Sequence, residues 1–348
     1  MLDVFLIFQF FNNFIEYISD IIIDAGLDEI IFIVIILLSV AFFTLVERKA
    51  LGTVQRRRGP NFTEVSGIFG LLQPISDGVK LFSKEVILPS NADDNIFLFA
   101  PYYSFTISLM GWGVIPFSDT YYDTFSLNCF YIEDLVSISD FSLSSLLLLT
   151  FSALGIYGIL IAGWSSNSKY SLLGTLRSTA QMVAYELSIS LILLSIVITV
   201  SSLNLNSIIF FQKNSISFIF LYPILFVLFI ICIVAETNRH PFDLPEAEAE
   251  LVAGYATEFS AFSFAFFSLA EYSNMLLMSY FTIILFWSAT PYFLVALKLV
   301  FFILLYSLLR AILPRYRYDQ LMLLGWKVFL PIALSFLFLN YFYFYFFC

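Results

Sequence analysis

Long apolar runs recur along the whole chain, and they restrict its fold more than any other feature of the sequence. A run of about 18–25 apolar residues is long enough to cross a hydrocarbon core of roughly 30 Å as an α-helix. Open strands cannot cross lipid, and the runs lack the alternation of apolar and polar residues that barrel strands show. The sequence therefore predicts an all-α polytopic membrane protein with about eight transmembrane helices. The candidate spans are residues 29–46, 97–117, 141–163, 178–200, 217–235, 259–283, 288–309 and 323–345.

The composition agrees with this class and excludes others. Of the 348 residues, 60% are hydrophobic and only 12% are charged, which is too apolar for a soluble domain. The net charge of −10 argues against a nucleic-acid partner. Cys129, Cys232 and Cys348 lie far apart without a C-x-x-C spacing, so neither an iron–sulfur nor a zinc site is predicted.

Positively charged residues are concentrated in alternate connections between the candidate spans. The connection after the first span has the largest group, and further cations follow the third, fifth and seventh spans. By the positive-inside rule, these connections are predicted to face a cytoplasm- or matrix-like compartment. The N-terminus then faces the opposite compartment, and an even number of spans returns the C-terminus to the same side.

No internal repeat or low-complexity linker divides the chain, so residues 1–348 are predicted to form a single membrane domain. Within it we distinguish an acidic N-terminal extension over residues 1–28. Two connections on the positive side also stand out, a long loop over residues 48–96 and an acidic loop over residues 236–257.

The long loop contains apolar residues at helical spacing from Ile68 to Phe82. The segment is too short and too charged to cross a bilayer, and it fits an amphipathic helix at the membrane interface. A soluble helix packed on a partner would show the same pattern, and the residues alone do not separate the two. Because proline interrupts a helix, Pro74 predicts a kink.

Two carboxylates, Glu186 and Glu271, fall inside candidate spans. A charged side chain at the bilayer centre costs roughly 2.5–3.5 kcal/mol on insertion scales, and such residues are usually functional. This favours a role in proton handling. The alternative is a simple hydrogen bond to a neighbouring helix.

The stretch 235–258 contains six carboxylates beside Arg239 and the single histidine of the chain, His240. Pro241 and Pro245 predict irregular backbone between them, followed by a helix with acids at its positive end. Clustered carboxylates in a partly dry site cannot all ionise comfortably, so the stretch suits a proton relay. Arg239 can pair bidentately with one of them. His240 has no nearby Cys or His, and no metal site is predicted.

Six segments of the chain form a recognisable set. They are ERKALGTVQRRRGPN (47–61), LLQPISDGVKLFSKE (71–85), GWSSNSKYSLLGTLRSTAQMVAYELS (163–188), AETNRHPFDLPEAEAELVAGYATEF (235–259), AEYSNM (270–275) and PRYRYDQLMLLGWKVFLP (314–331). Together they resemble the NADH–ubiquinone oxidoreductase chain 1 family, the membrane heel subunit of mitochondrial respiratory complex I. The matches are long, in the family's order, and on the predicted positive side.

The resemblance implies a non-redox subunit of the proton-translocating NADH:ubiquinone reductase, in the mitochondrial inner membrane with both termini on the intermembrane-space side. It implies that ubiquinone is the substrate and that no cofactor is bound by this chain. NADH, FMN and the iron–sulfur clusters would lie in partner subunits. The partners of this chain would be the quinone-site subunits of the peripheral arm, the neighbouring membrane-arm subunits and the lipid bilayer. By matching motif, the proton and coupling path would include Glu186, Glu236, Glu246, Glu248, Glu250, Glu271, Asp77 and Tyr185. The quinone channel would include Arg48, Arg57, Arg239, Phe264, Arg315 and Arg317.

Three other functions fit parts of the sequence. The related membrane subunit of a membrane-bound hydrogenase or formate-oxidising complex shares the scaffold, and the RRRGPN loop argues for the quinone enzyme. A free-standing proton-coupled transporter would explain buried acids, but the chain has no inverted repeat. A purely structural anchor would leave Glu186 and Glu271 without a reason.

Overall fold

The computed structural model describes residues 28–63, 67–118, 135–136, 141–243, 254–288 and 292–347. The α-helices are α1 (Asp28–Val54), α2 (Gln73–Ser83), α3 (Asp94–Met110), α4 (Ser144–Ser165), α5 (Lys169–Val200), α6 (Leu205–Asn214), α7 (Phe218–Leu221), α8 (Pro223–Glu236), α9 (Ala261–Thr282), α10 (Tyr292–Ile312), α11 (Tyr318–Leu324) and α12 (Leu330–Phe347). Short 3-10 turns cover Gly111–Val114 and Gly254–Ala256, and π-helical turns cover Ile283–Trp287 and Gly325–Phe329. Within these ranges, four two-residue strands form two antiparallel pairs, β1 (Phe62–Thr63) with β2 (Gly67–Ile68) and β3 (Phe117–Ser118) with β4 (Leu135–Val136).

The predicted class, an all-α polytopic membrane protein, is confirmed. Among the described residues, 6 helical segments are long and apolar enough to cross a membrane. They are 31–54, 144–165, 169–200, 261–287, 294–312 and 318–343. Each corresponds to one of the predicted spans, although most begin or end several residues away from the predicted boundary.

The other two predicted spans are helical but shorter. Helix α3 has 17 residues and continues into the 3-10 turn at Gly111. The span predicted at 217–235 is divided into α7 and α8 at Tyr222, whose φ of −128° and ψ of 61° are not helical. Proline lacks an N–H and disfavours helical backbone at the preceding residue, so Pro223 accounts for this break.

Two helices of the positive-side region differ from their predicted course. Helix α1 does not end at residue 46 but continues to Val54, so that Glu47 and Arg48 are helical. Helix α2 begins at Gln73, and Pro74 lies in its first turn, where a missing N–H breaks no helical hydrogen bond. The predicted kink at Pro74 is therefore wrong, because the helix starts at the proline instead of passing through it.

The site described below depends on the packing of α5 and α9. Helix α5 packs against α4, α8 and α12, and α9 packs against α1, α2, α3 and α10. A Cβ added to Gly174 of α5 would lie 2.7 Å from the Cα of Gly254. Only glycine permits such a close approach of two backbones. This contact holds the 3-10 turn Gly254–Ala256 against α5, with Tyr255 buried.

The π-helical end of α9 has carbonyl groups that no helical N–H satisfies, as every helix end does. The buried Gln212 of α6 donates its amide to the carbonyl oxygens of Ile284 and Leu285, at 2.9 Å each. The half-buried Lys298 of α10 donates to those of Trp287, at 2.9 Å, and Ser288, at 2.7 Å. Its ammonium group also lies 5.8 Å from the centre of the Trp287 ring. An intramembrane cation is thus used to satisfy backbone carbonyls that lipid could not.

We expect Lys298→Met to destabilise the protein by about 2 kcal/mol, because two hydrogen bonds from a charged group to backbone carbonyls are lost. Thermal unfolding of the purified assembly would measure the change. Lys169→Met, at an exposed position, is the control and should leave the melting temperature unchanged. Equal melting temperatures for the two variants would show that Lys298 has no such role.

Candidate functional site: a buried ionic cluster

Glu47 of α1 is buried, with 6% of its surface exposed, and it lies at the centre of an ionic cluster. Arg310 of α10 donates to its carboxylate at 2.6 Å, and the Tyr272 hydroxyl of α9 donates at 2.7 Å. The guanidinium of Arg239 lies 3.6 Å from the same carboxylate. A buried charge is tolerated only with such partners, and removing one partner of a buried ion pair costs about 3–5 kcal/mol.

Arg239 is fixed from three sides. Besides its contact with Glu47, its Nε donates to the sulfur of Met275 at 3.1 Å. Its guanidinium also stacks 4.3 Å from the centre of the Tyr272 ring, a cation–π contact in a buried setting. The arginine therefore links the loop after α8 with one face of α9.

A small cavity opens beside this cluster. It is lined by Phe43, Glu47, Arg239, His240, Met275, Tyr306, Ser307 and Arg310. Its walls combine apolar side chains from α1 and α9 with the donor groups of arginine and tyrosine. Burial, reinforced by the nearby Arg315, lowers the pKa of His240. The imidazole is therefore neutral at pH 7, and among the described lining residues the charged groups are Glu47, Arg239 and Arg310.

A second ion pair lies next to the cluster. Arg48 follows Glu47 on α1, and its guanidinium lies 2.6 Å from the carboxylate of Asp77 on α2. The Gln73 amide also donates to Asp77, at 3.0 Å. Both charged side chains are partly exposed, 48% and 35%, so this pair fixes α2 against α1 but stabilises the fold by only about 0–1 kcal/mol.

A third group connects the loop after α8 with α5 and α11. Arg315 pairs with the buried Asp243 at 3.1 Å. Phe242 stacks on Tyr316 with ring centres 5.5 Å apart, and it also contacts the ring of Tyr185 at 6.2 Å. Tyr185 is fully buried, and its hydroxyl donates to the carbonyl oxygen of Leu321 at 3.0 Å.

Glu236 and Glu186 lie close enough for their charges to repel each other. Glu236 is buried at the end of α8, and Glu186 is half-buried on α5. The hydroxyl of Ser152, which donates to the Leu149 carbonyl oxygen at 2.9 Å, lies near Glu236, whose Oε2 has no hydrogen-bond partner among the described residues. Tyr306, which lines the cavity, is also near Glu236. The two acids and the cavity therefore lie in one neighbourhood, which Tyr306 shares with both.

Glu271 is half-buried on α9, directly before Tyr272. The hydroxyl of the buried Tyr255 donates to its carboxylate. Two successive residues of α9 therefore have hydrogen-bond partners on different elements. Glu271 accepts from Tyr255 of the 3-10 turn, and Tyr272 donates to Glu47 of α1.

Other predicted site residues lie outside these groups. Arg57 is exposed and donates to Gln55 at 2.8 Å, and Arg317 is exposed at the start of α11. Phe264 is 41% exposed on α9. The remaining predicted acids, Glu246, Glu248 and Glu250, lie outside the described residues.

The sequence interpretation missed Glu47, Tyr272, Tyr306 and Arg310. Glu47 begins the ERKALG segment and Tyr272 belongs to AEYSNM, so both lie inside recognised motifs. Arg310 is near the end of an otherwise apolar helix, where the sequence alone presents it as one more positive-side cation. The sequence did contain one indication that Arg310 has a buried partner. It directly follows a candidate span, and a charge inside the membrane requires a partner.

The described residues contain no group of three or more His, Cys, Asp or Glu side chains that could hold a metal ion. The cluster pairs a carboxylate with guanidinium groups, which compete with a cation for its oxygens. The arrangement is instead suited to a neutral or anionic ligand that accepts hydrogen bonds.

The fold and the site define a multi-span helical membrane protein with buried ion pairs at one end of its helix bundle. The family described as NADH dehydrogenase matches residues 27–341, and the chain belongs to this family. NADH–ubiquinone oxidoreductase chain 1 of Chondrus crispus is 48% identical over 319 residues, covering 87% of this chain and 91% of that protein. Its counterpart in Arabidopsis thaliana is 49% identical over 313 residues, covering 86% and 90%. The counterpart in Cyanidium caldarium is 45% identical over 347 residues, covering 96% and 95%.

Proposed function

We propose that this chain, a membrane subunit of NADH–ubiquinone oxidoreductase, forms the membrane part of the ubiquinone channel and the first acids of the proton path. The observation that supports the proposal most directly is the cavity between α1, α9 and α10, where Glu47, Arg239 and Arg310 meet. The subunit belongs to an enzyme complex of the mitochondrial inner membrane, which it crosses several times.

The lining of the cavity suits the headgroup of a quinone. A quinone presents two carbonyl oxygens, which accept hydrogen bonds, on a flat apolar ring. Arg239, Arg310 and Tyr306 are donors at the cavity, and Phe43 and Met275 are apolar walls. The cavity is small, so a headgroup would enter as the Arg310 side chain, which is 39% exposed, moves aside.

An aromatic surface on α2, α3 and α9 suits the isoprenoid tail. Phe82 of α2 contacts Phe262 of α9 with ring centres 4.9 Å apart. Phe262 contacts Phe266 at 4.1 Å, and Tyr102 and Phe105 of α3 flank Phe266 at 4.9 Å and 5.1 Å. The exposed Phe264 of the predicted channel belongs to the same helix. An apolar tail would lie along these rings, where α2 packs against α9.

The acids behind the cavity suit proton handling. Reduction of a quinone to a quinol consumes two electrons and two protons, so charge near the headgroup changes during turnover. Tyr306 lines the cavity and lies near Glu236, and Glu236 lies near Glu186. A proton or a change of charge could pass along this series. Glu246, Glu248, Glu250 and Glu271 would extend it.

The redox chemistry is assigned to partners. Under this proposal NADH, FMN and the iron–sulfur clusters belong to other subunits, and the quinone-site subunits of the peripheral arm cover the positive side of this chain. Both termini face the intermembrane space, as the distribution of cations predicts.

Photolabelling of the intact complex tests the channel directly. We expect a ubiquinone analogue with an azide on its headgroup to label the segments around Glu47, Met275 and Tyr306, with protection by excess ubiquinone. An analogue with the azide at the end of its tail should label the segment around Phe262. Labelling confined to α4 or α12, or labelling that excess ubiquinone does not prevent, would contradict the proposal.

A further inference from the structure

The side-chain amide of Gln181 on α5 joins the two ends of the loop that follows α8. Its Nε2 donates to the carbonyl oxygen of Ala235 at 2.7 Å and to that of Phe242 at 2.9 Å. An amide NH2 group has two hydrogens, so both bonds can form at once. Gln181 is fully buried, and its bonds are therefore protected from competition with water.

The loop closed in this way contains two of the residues that line the cavity. Arg239 and His240 line the cavity, and Glu236 begins the series of acids. Backbone bonds inside the loop make it compact, since the Arg239 N–H donates to Val234 at 3.2 Å and the Phe242 N–H donates to Arg239 at 2.8 Å. The amide of Gln181 then ties this compact loop to α5.

We propose that Gln181 is a positioning residue for the quinone site, and that it acts by holding the loop so that Arg239 reaches Glu47, Tyr272 and Met275. The inference rests on the proposed function. Arg239 meets these partners at 3.6 Å, 4.3 Å and 3.1 Å, respectively. A displacement of about 1 Å in such a group can reduce a reaction rate roughly a hundredfold.

Gln212 provides a matched control within the same chain. It is also buried, and its Nε2 also donates to two backbone carbonyls, those of Ile284 and Leu285. Those carbonyls lie at the far end of α9, about 14 Å along the helix from Met275 at 1.5 Å per residue. A purely structural amide at residue 181 should behave in a variant as Gln212 does.

The experiment compares Gln181→Met with Gln212→Met in the intact, membrane-embedded complex. Methionine keeps the length of the side chain and removes both donors. We expect Gln181→Met to raise the KM for decylubiquinone or lower kcat by roughly five- to tenfold. Oxidation of NADH by ferricyanide should be unchanged. Gln212→Met should lower thermal stability and leave the kinetics with decylubiquinone as in the wild type.

The variant Gln181→Glu adds a second measurement, the pH dependence of activity, which a purely structural role of residue 181 would not change. An ionised carboxylate has no donor for the two carbonyls, but a protonated one can donate to one of them. The activity of this variant relative to the wild type should therefore increase as the pH falls, whereas that of Gln181→Met should not. If Gln181→Met does not assemble, the pH profile of Gln181→Glu alone tests whether Gln181 positions the quinone site.

Two results would overturn the inference. One is equal quinone kinetics in Gln181→Met and Gln212→Met together with a pH profile of Gln181→Glu like that of the wild type. The other is a failure of both Gln181 variants to assemble while Gln212→Met assembles, since Gln181 would then be needed for folding only. Arg239→Gln separates the two proposals, because normal quinone kinetics in that variant would contradict the proposed function itself.

Discussion

Glu47→Gln is expected to reduce ubiquinone reductase activity by about a hundredfold or more while the oxidation of NADH by an artificial acceptor continues. The change removes the charge that Arg310 and Arg239 share, with contacts of 2.6 Å and 3.6 Å. Loss of one partner from a buried ion pair costs about 3–5 kcal/mol. The two guanidinium groups would then move apart or recruit water, and a misplaced donor at the headgroup lowers the rate by about this factor.

The measurement uses assembled complex, with decylubiquinone as one acceptor and ferricyanide as the other. Glu85→Gln is the matched control, because Glu85 is an exposed carboxylate between α2 and α3. It should retain both activities. A normal ratio of the two activities in Glu47→Gln would show that the cluster takes no part in the reaction with quinone, whatever its effect on stability.

The membrane architecture could be predicted from local sequence because it depends on local physics. Each apolar run must satisfy its own backbone in lipid, so its length and composition specify a helix without knowledge of its neighbours. The exceptions have local causes as well. Pro223 divides one predicted span, and Pro74 starts a helix that it was expected to bend.

The site could be predicted only in part, because its contacts are not local. Arg239 was expected to pair with acids of its own stretch, whereas its partners among the described residues include Glu47. Glu47 and Arg310 are 263 positions apart, and no spacing rule connects residues on two separate helices. Gln181 has an ordinary helical sequence context, and its role becomes visible only when both ends of a distant loop lie against its amide.

For Glu186 and Glu271, the sequence predicts that the residue is important but does not predict its partner. The cost of a carboxylate within an apolar span marks each of them as significant from the sequence alone. The partner of each depends on tertiary packing, since Glu271 meets Tyr255 because Gly174 lets α5 approach the turn at Gly254. The roles of these acids in proton handling remain a prediction that kinetics must test.

The second large effect is expected from Glu186→Gln and Glu236→Gln. Two nearby carboxylates, one of them buried, do not ionise independently, so removing either one deprives the other of its charged neighbour. We expect each single variant to lose about tenfold or more of coupled ubiquinone reductase activity, in the range by which positioned proton donors and acceptors accelerate reactions. The double variant should lose little more than either single variant.

A double-mutant cycle measures that non-additivity. Proton uptake by proteoliposomes during the oxidation of NADH by ubiquinone is the second readout. Residues in contact give coupling energies of about 0.5–3 kcal/mol, and distant residues add within about 0.5 kcal/mol. Glu258→Gln, at a half-buried carboxylate of the same acidic stretch, is the comparison and should combine additively with Glu186→Gln. Additive losses for Glu186 and Glu236 would mean that the acids act separately, and wild-type activity and proton uptake in both single variants would remove them from the proton path. The cycle therefore distinguishes a connected series of acids from a set of carboxylates that merely share one end of the bundle.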